Sequence, residues 1–556
     1  MCGITGLLLA SAANKKIITE DFRKSSKLIS HRGPDRSICI EYRNPVNVVL
    51  SFERLSIMDP STRGDQPFKF EYDNRVVYVM CNGEIYNYHE LCKKYDLEPT
   101  SGSDCEVIPL LYKKFGPNKI LDICQEFDSE HAFMILDIDM KSGDYQMILS
   151  SDRYGLRPLF VGWTLDCFCF SSELQGLCCL SYPLAHIERF KPRTYAILEK
   201  KNGVLGQLQY HPYYCIKPQK ILHYDLPVCL AGVKFALEEA VISRLESDRP
   251  YGSLLSGGLD SSLVSAIAAN YLRSKGIQLR TFSIGMEGGT DEAYAKMVAA
   301  HIDSIHTHIT VSEADFVAAI PNIVETIGSF DITSVRASTG QYLISKWISE
   351  NTDIKVLLVG DGSDEVTGGY KYFLNTIDPA AFDAECIRLV EDIHQFDGLR
   401  ADRCISRWGI EARFPFLSAD FVDFYLSCDP VLRMPQSNVE KWLLREAFKG
   451  SNLLPEVVRC RPKEAFSDGV SSVKKSWYEI IIENTNKMYT DDEAMVIARY
   501  YSHLRPVSKE SLYYRNLFVR FFGQNESVAK TIPYFWLPKW SGNIVEPSAR
   551  VLKVYA

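Results

Sequence analysis

Through residues 1–200 the apolar and β-branched positions gather in short runs, at 46–52, 76–81, 131–137, 146–151 and 167–171, each bounded by turn residues, and such runs predict strands. Apolar residues spaced for one face of a helix interrupt them at 22–30 and 103–115, the second led by Ser103 as an N-cap candidate. Strands and helices mixed in this way predict sheets covered by helix layers. Between about 200 and 225 the pattern lapses into Gly, Pro and polar residues without sustained periodicity, which reads as a linker. Beyond it the rhythm changes. A strand at 251–255 leads into a helix at 261–272, one at 279–284 into a helix at 291–301, and one at 355–359 into an acidic, glycine-rich turn. That alternation is the signature of a parallel sheet with crossover helices, and mostly helical patterns follow from about 380.

Composition narrows this picture rather than changing it. At 556 residues with 46% apolar and 24% charged side chains, the chain has enough core material for more than one globular domain. The net charge of −8 argues against a broad nucleic-acid surface, which needs basic groups to replace counterions, while leaving room for a local phosphate pocket. No apolar run is long enough to span a bilayer, and the start lacks a basic residue ahead of its short apolar stretch, so neither a membrane span nor a secretory signal is expected. Sixteen cysteines without a C-x-x-C pair fit reduced thiols in a cytoplasmic setting better than a disulfide framework or a zinc ribbon.

Chemistry is suggested at two places. Removal of Met1 would leave Cys2 with a thiol beside a free α-amine, whose pKa near ~8 suits it as base for its own nucleophile. Attack on an amide needs donors where negative oxygen develops, and the Asn82 side chain and Gly83 N–H are candidates for that oxyanion role. Arg54 suits the α-carboxylate of glutamine, and Glu84 and Asp104 suit its α-ammonium. Taken singly, each residue has an ordinary structural reading: a tight turn, a surface ion pair, an inert terminus. In the second half, Leu255-Ser256-Gly257-Gly258-Leu259-Asp260-Ser261-Ser262 joins a strand to a helix. Backbone N–H groups and the helix N-terminus there favour an anion, and Asp260 suits a Mg²⁺ ion carried with phosphate. The chain contains no G-x-x-x-x-G-K-S/T motif, so this is not the usual NTPase loop. A second acidic loop, Val359-Gly360-Asp361-Gly362-Ser363-Asp364-Glu365, offers carboxylates for metal or for an adenylated intermediate.

The first array, with His31-Arg32-Gly33-Pro34-Asp35 and Asp152-Arg153-Tyr154-Gly155-Leu156-Arg157-Pro158-Leu159, resembles the class-II glutamine amidotransferases. The resemblance implies an N-terminal-nucleophile αββα sandwich over residues 1–205, with Cys2 as nucleophile and Arg54, Leu55, Ser56, Ile57, Met58, Asn82, Gly83, Glu84 and Asp104 binding glutamine. The second motif resembles the PP-loop of ATP pyrophosphatases. It implies an α/β domain with a helical C-terminal part over 229–540, after a linker at 206–228 and before a tail at 541–556. ATP is then the substrate, bound by Leu255, Ser256, Gly257, Gly258, Asp260, Ser261, Ser262, Ile284, Val359 and Gly360.

Together the halves are similar to the glutamine-dependent asparagine synthetases, with further matches at 334–339, 408–417 and 461–469. That likeness implies aspartate as acceptor, Arg336 and Asp361 at the aspartate or its adenylate, Lys463 as a catalytic cation, and Asp260 and Asp364 holding Mg²⁺. It implies small-molecule partners only, no nucleic acid and no membrane; the oligomeric state stays open, a homodimer included. The chain departs from the family at Ser129-Glu130-His131, where Gly-Met-Phe is usual, at Ser151 where Gly or Ala is usual, at Val359 where Ser is common, and at Asp361, where some members carry Glu. His131 is expected to be a buried structural residue rather than a catalytic one. Rival readings are a relative that adenylates another carboxylate, an amidotransferase feeding a sugar phosphate, and a catalytically silent scaffold.

Overall fold

The computed structural model describes residues 1–9, 15–178, 180, 184–216, 224–464, 469–472, 475–542 and 544, without the side chains of 15–18. Part of the expected linker, of the 461–469 match and of the tail therefore lies outside the described residues.

The N-terminal half is built on two antiparallel sheets. One sets His186–Arg189, Phe160–Trp163, Cys167–Ser171, Gly3–Leu9, Asn47–Arg54 and Arg36–Tyr42 side by side. The other runs Val204–Leu205, Thr194–Lys201, Tyr145–Ser151, Ser129–Asp139, Arg75–Ile85 and Phe68–Tyr72. Alternation sorts the side chains into layers. Ile4, Leu8, Leu50 and Phe52 of the first sheet meet Met80, Met134, Leu136 and Leu149 of the second in one core. The opposite faces take Phe22, Leu174 and Leu177 on one side, and Leu91, Ile108, Leu111 and Ile123 on the other. The result is the expected αββα sandwich, in which period-2 patterning sends alternate residues to opposite layers.

Gly3–Leu9 is buried along its whole length between two neighbouring strands, so it shows no polar alternation for a sequence pattern to catch. Gln209–Pro212, inside the expected linker, pairs with Thr194–Lys201, and Tyr210 packs on Phe190 at 5.1 Å, so the sandwich extends past residue 205. Four residues ending in proline are too few to display a period.

A helix at Leu226–Ser243, capped by the Asp225 side chain on the Val228 N–H, opens the second half. Its five-stranded sheet is parallel, in the order Ile305–Thr310, Arg280–Gly285, Tyr251–Leu254, Val356–Leu358 and Glu411–Arg413. The chain starts at the central strand, builds outward to one edge and then crosses to the other side. The strand order therefore reverses between Tyr251–Leu254 and Val356–Leu358, and a crevice opens beyond the carboxyl ends of those two strands. Helices Pro379–Asp392, Asp397–Ser406, Trp477–Met488 and Lys509–Phe522 cover the rest. Among the described residues no helix is long and apolar enough to cross a membrane.

The halves meet through buried charge. Arg157 pairs with Glu130 at 2.8 Å and with Asp402 at 3.3 Å, Arg32 bridges Glu173 and Asp402, and Arg413 reaches Glu84 at 3.5 Å. Replacing or unpairing one member of such a set strands a buried ion, so the docking geometry is tightly specified.

Candidate functional sites

The Cys2 main-chain N–H donates to Asn82 Oδ1 at 2.9 Å, and its thiol points at the Leu55 carbonyl at 3.7 Å. Burial pushes that thiol up to about 11; Glu84 and Glu411 push the same way, against the N-terminal ammonium and the Leu55 hydrogen bond. A thiol so placed needs a base before it can attack. The amine expected for that role is here in peptide linkage with Met1, whose own ammonium pairs with Glu411 at 2.7 Å in a fully buried contact. Asn82 Nδ2 is buried without a hydrogen-bond partner, which leaves a donor beside the thiol for an incoming oxygen. Gly83 cannot be another residue: its φ is 155°, and a Cβ there would lie 2.1 Å from the Glu130 carbonyl oxygen.

Glu84 and Asp104 share this corner with Glu411. Burial raises Asp104 to about 6, helped by Glu411 and opposed by the Ile85 N–H it accepts at 2.7 Å; burial followed by Asp104 and Glu411 lifts Glu84 well above its ordinary value. Crowded, desolvated carboxylates of this kind are relieved by a cation. Arg54 is more committed than its sequence role suggests. Its guanidinium pairs with Asp65 at 2.7 Å and donates to the carbonyls of Ser61, Met58 and Asp59, tying the loop that carries Leu55, Ser56, Ile57 and Met58. That loop is also pinned by Asp35 on the Ser56 N–H, and from the second half by Asp248 on the Asp59 N–H.

Of the departures from the family, His131 and Glu130 both find partners. His131 is buried, with Nδ1 2.8 Å from Ser129 Oγ and Nε2 3.4 Å from Ser150 Oγ; its ring stacks on Phe133, and burial lowers it to about 3, so it is neutral and structural. Glu130 takes Arg157 and, at 3.0 Å, the Phe414 N–H of the second half. Arg32 lies in the His31–Asp35 motif, and Glu411 and Arg413 lie in the 408–417 match, with nothing in the sequence to place them at this corner. Their relevance depends on the docking of two distant segments, for which local sequence carries no signal.

The second site fills the crevice at the strand-order reversal, a cleft of about 1090 Å³ lined by Leu255, Ser256, Gly258, Asp260, Ser261, Ile284, Gly360, Asp361, Asp364 and Lys463 among others. The loop is shaped for close approach. Gly257 has φ 77° with the Ala295 N–H 2.5 Å from where a Cβ would be, and a Cβ on Gly360 would press on the Ser261 N–H at 2.8 Å. Helix Leu259–Ser274 aims its N-terminus at the cleft. Four of the expected residues stand back from the lining: Gly257, Ser262 and Val359 support the loops behind it, and Arg336 lies with Glu510 at 2.7 Å and over the Tyr478 ring.

Asp361 is held by Arg400 at 2.8 Å and Gln341 at 3.3 Å. Asp364 faces Lys463 on one oxygen and Lys441 on the other, at 2.6 Å; burial opposes its ionisation, but the two ammoniums outweigh it and hold its pKa well below the carboxylate range. Lys441 also pairs with Asp260. Neither Lys441 nor Arg400 was singled out by sequence, because each reaches the cleft from a helical segment with no motif of its own. Asp364 Oδ1 is buried and, although close to Lys441, accepts no aligned hydrogen bond. Two carboxylates, Asp260 and Asp364, converging on one ammonium are a donor set that fits a divalent cation bound with phosphate.

Comparison with known proteins bears on both sites. A family model described as a glutamine amidotransferase domain matches residues 1–200, and one described as asparagine synthase matches 232–382 and 375–541. The chain is 37% identical over 574 residues to a probable asparagine synthetase (glutamine-hydrolyzing) of Acanthamoeba polyphaga mimivirus, covering 100% of both chains. It is 38% identical over 552 residues to the asparagine synthetase (glutamine-hydrolyzing) of Mus musculus and 37% over 552 residues to that of Homo sapiens, each covering 96% of both chains.

Proposed function

Since this chain belongs to the glutamine-hydrolysing asparagine synthetases, we propose that it makes asparagine from aspartate in two coupled steps, with Cys2 and the glycine-rich loop at Leu255–Ser262 as their centres. The observation that carries the first step is the unpartnered Asn82 Nδ2, on a side chain whose oxygen accepts from the Cys2 main-chain N–H. With Met1 removed, the Cys2 amine takes the thiol proton and Sγ attacks the glutamine side-chain carbonyl carbon. The oxygen gains charge against Asn82 Nδ2 and the Gly83 N–H; the C–N bond breaks, the proton leaves with ammonia, and a thioester remains. Water then adds to the thioester carbon, releasing glutamate and restoring the thiol. Glu84 and Asp104 receive the substrate ammonium, and Arg54 with its loop faces the carboxylate.

In the cleft, a β-carboxylate oxygen of aspartate attacks the α-phosphorus of ATP, and the bond to the β-phosphate oxygen breaks to release pyrophosphate. Ammonia attacks the acyl carbon of the resulting β-aspartyl-AMP and AMP leaves. The helix N-terminus, Ser256, Ser261 and Lys463 balance the phosphate charge, and Asp361 and Arg400 position the acyl group. Asp260 and Asp364 would hold Mg²⁺, which when bound neutralises charge on the polyphosphate. Ammonia in water is mostly protonated and no nucleophile, so the buried junction between the halves keeps it reactive in transit. Cysteine usage, sixteen residues without a C-x-x-C pair, fits a reducing, cytoplasmic setting.

Cys2→Ala tests the reading: glutamine-dependent synthesis is lost while ammonia-dependent synthesis, followed by AMP and asparagine release, continues. Loss of both, or ADP as the nucleotide product, refutes it.

A further inference from the structure

Lys441 occupies an unusual place. Its ammonium is buried between Asp260 of the glycine-rich loop and Asp364 of the acidic loop, the two carboxylates suited to the metal. Its backbone sits at φ 54°, a left-handed conformation unfavourable for a non-glycine residue. Gly369 makes room for its stem: a Cβ there would lie 1.9 Å from Lys441 Cε and 2.2 Å from Asp364 Oδ1. The other charges lining the cleft are engaged away from these two loops' centre: Arg400 holds both Asp361 and Asp397, Arg461 holds both Asp291 and Glu464, and Arg445 holds Glu440. At the centre, two carboxylates, Asp260 and Asp364, meet two ammoniums, Lys441 and Lys463, so the charges held between the two loops balance before any nucleotide arrives.

We propose that Lys441 is a resident surrogate for the metal: in the nucleotide-free enzyme its ammonium holds the place between Asp260 and Asp364, and it yields that place only when a divalent cation enters together with a polyphosphate. The inference deepens the ATP reading above and rests on it. A bare divalent ion entering the neutral pair of loops would leave an excess of buried positive charge, which is costly. The same ion entering with a triphosphate brings its own counter-charge and gives the displaced ammonium phosphate oxygens to bind. The geometry supports the exchange: Lys441 Nζ stands 2.6 Å from Asp364 Oδ1 and also contacts Asp260, so one ammonium already occupies the point between the two carboxylates that a divalent cation would take. Lys441 is thus a positioning residue that locks the two loops together when empty and couples metal entry to nucleotide entry.

The test is Mn²⁺ binding to the full-length, nucleotide-free protein, followed by electron paramagnetic resonance. Wild type should bind Mn²⁺ weakly. Lys441→Gln and Lys441→Met should each bind it roughly tenfold or more tightly, and adding Asp364→Asn should erase the gain. Thermal melts of the same samples establish folding. Equal Mn²⁺ affinity in wild type and both variants overturns the proposal, as does a gain that survives Asp364→Asn. Should neither variant fold, tight Mn²⁺ binding by nucleotide-free wild type overturns it, and weak binding supports it. The nucleotide product separates this from the parent reading. ADP formation sinks the adenylation chemistry whatever the Mn²⁺ titration shows, while AMP formation without a Mn²⁺ gain sinks only the role of Lys441.

Discussion

The two sites solve opposite electrostatic problems. Around Cys2, three carboxylates, Glu84, Asp104 and Glu411, share one desolvated corner, and the positive charge that meets Glu411 comes from Arg413 and from the Met1 ammonium. In the cleft the acids and bases are paired off before a substrate arrives. On the proposed reading, the first corner has carboxylates to spare for a substrate α-ammonium, whereas the second has its acids already engaged by the protein's own cations. The contrast teaches that burial alone does not set a carboxylate's behaviour. Asp104 and Asp364 are both buried, yet the first is pushed up to about 6 for want of a cation and the second is held far down by two.

The hardest blow to the first site short of removing the thiol is Asn82→Ala. It deletes the unpartnered donor, and glutaminase kcat should fall about 10²–10³-fold, with ammonia-dependent synthesis unchanged in the same preparation; an equal fall in both rates would place Asn82 outside the oxyanion role.

A smaller effect sharpens the electrostatic contrast. Asp104, facing Glu84, Glu411, Cys105 and the Ile85 N–H, holds its proton more tightly in the folded than in the unfolded chain. Folded stability from this group is therefore full below about pH 4, declines as the pH rises towards about 6, and is flat above it. Binding of a substrate ammonium follows the reverse course: the KM for glutamine should drop by roughly tenfold per pH unit below that pKa and level off above it. Asp104→Asn should flatten the profile, and a KM profile identical to wild type would remove Asp104 from glutamine binding.

The least effect is expected of His131→Phe. The imidazole is neutral across pH 5–8 and already stacks on Phe133, so the exchange should cost at most ~1 kcal/mol by chemical denaturation and leave the pH profile of either half-reaction unmoved.

Much of this was legible from the residues in order. The strand Cys167–Ser171 and the helix Asp291–His301 fall at the residues where their patterns place them, because a run of alternating or 3.6-spaced apolar residues reports its own burial. The glycine-rich loop was legible for a related reason: tight backbone approach requires glycine locally, as at Gly257. Gly3–Leu9 escaped, since a strand buried on both faces has no period to show. The partners of Glu130 escaped too: Arg157 is 27 residues away and Phe414 is 284, a separation at which no local pattern operates.

By itself, then, the sequence determined the sheet-and-helix character of each half, the alternation of parallel strands with crossover helices and the place of the glycine-rich loop, because each depends on neighbours within a turn or a strand. Only tertiary structure decided which charges are spent and which are available. Arg54 is drawn into its own loop, Arg336 into a pair with Glu510, and Lys441 into the gap between two acidic residues. Coulomb energy and desolvation depend on distance in space, and folding sets that distance without regard to position along the chain.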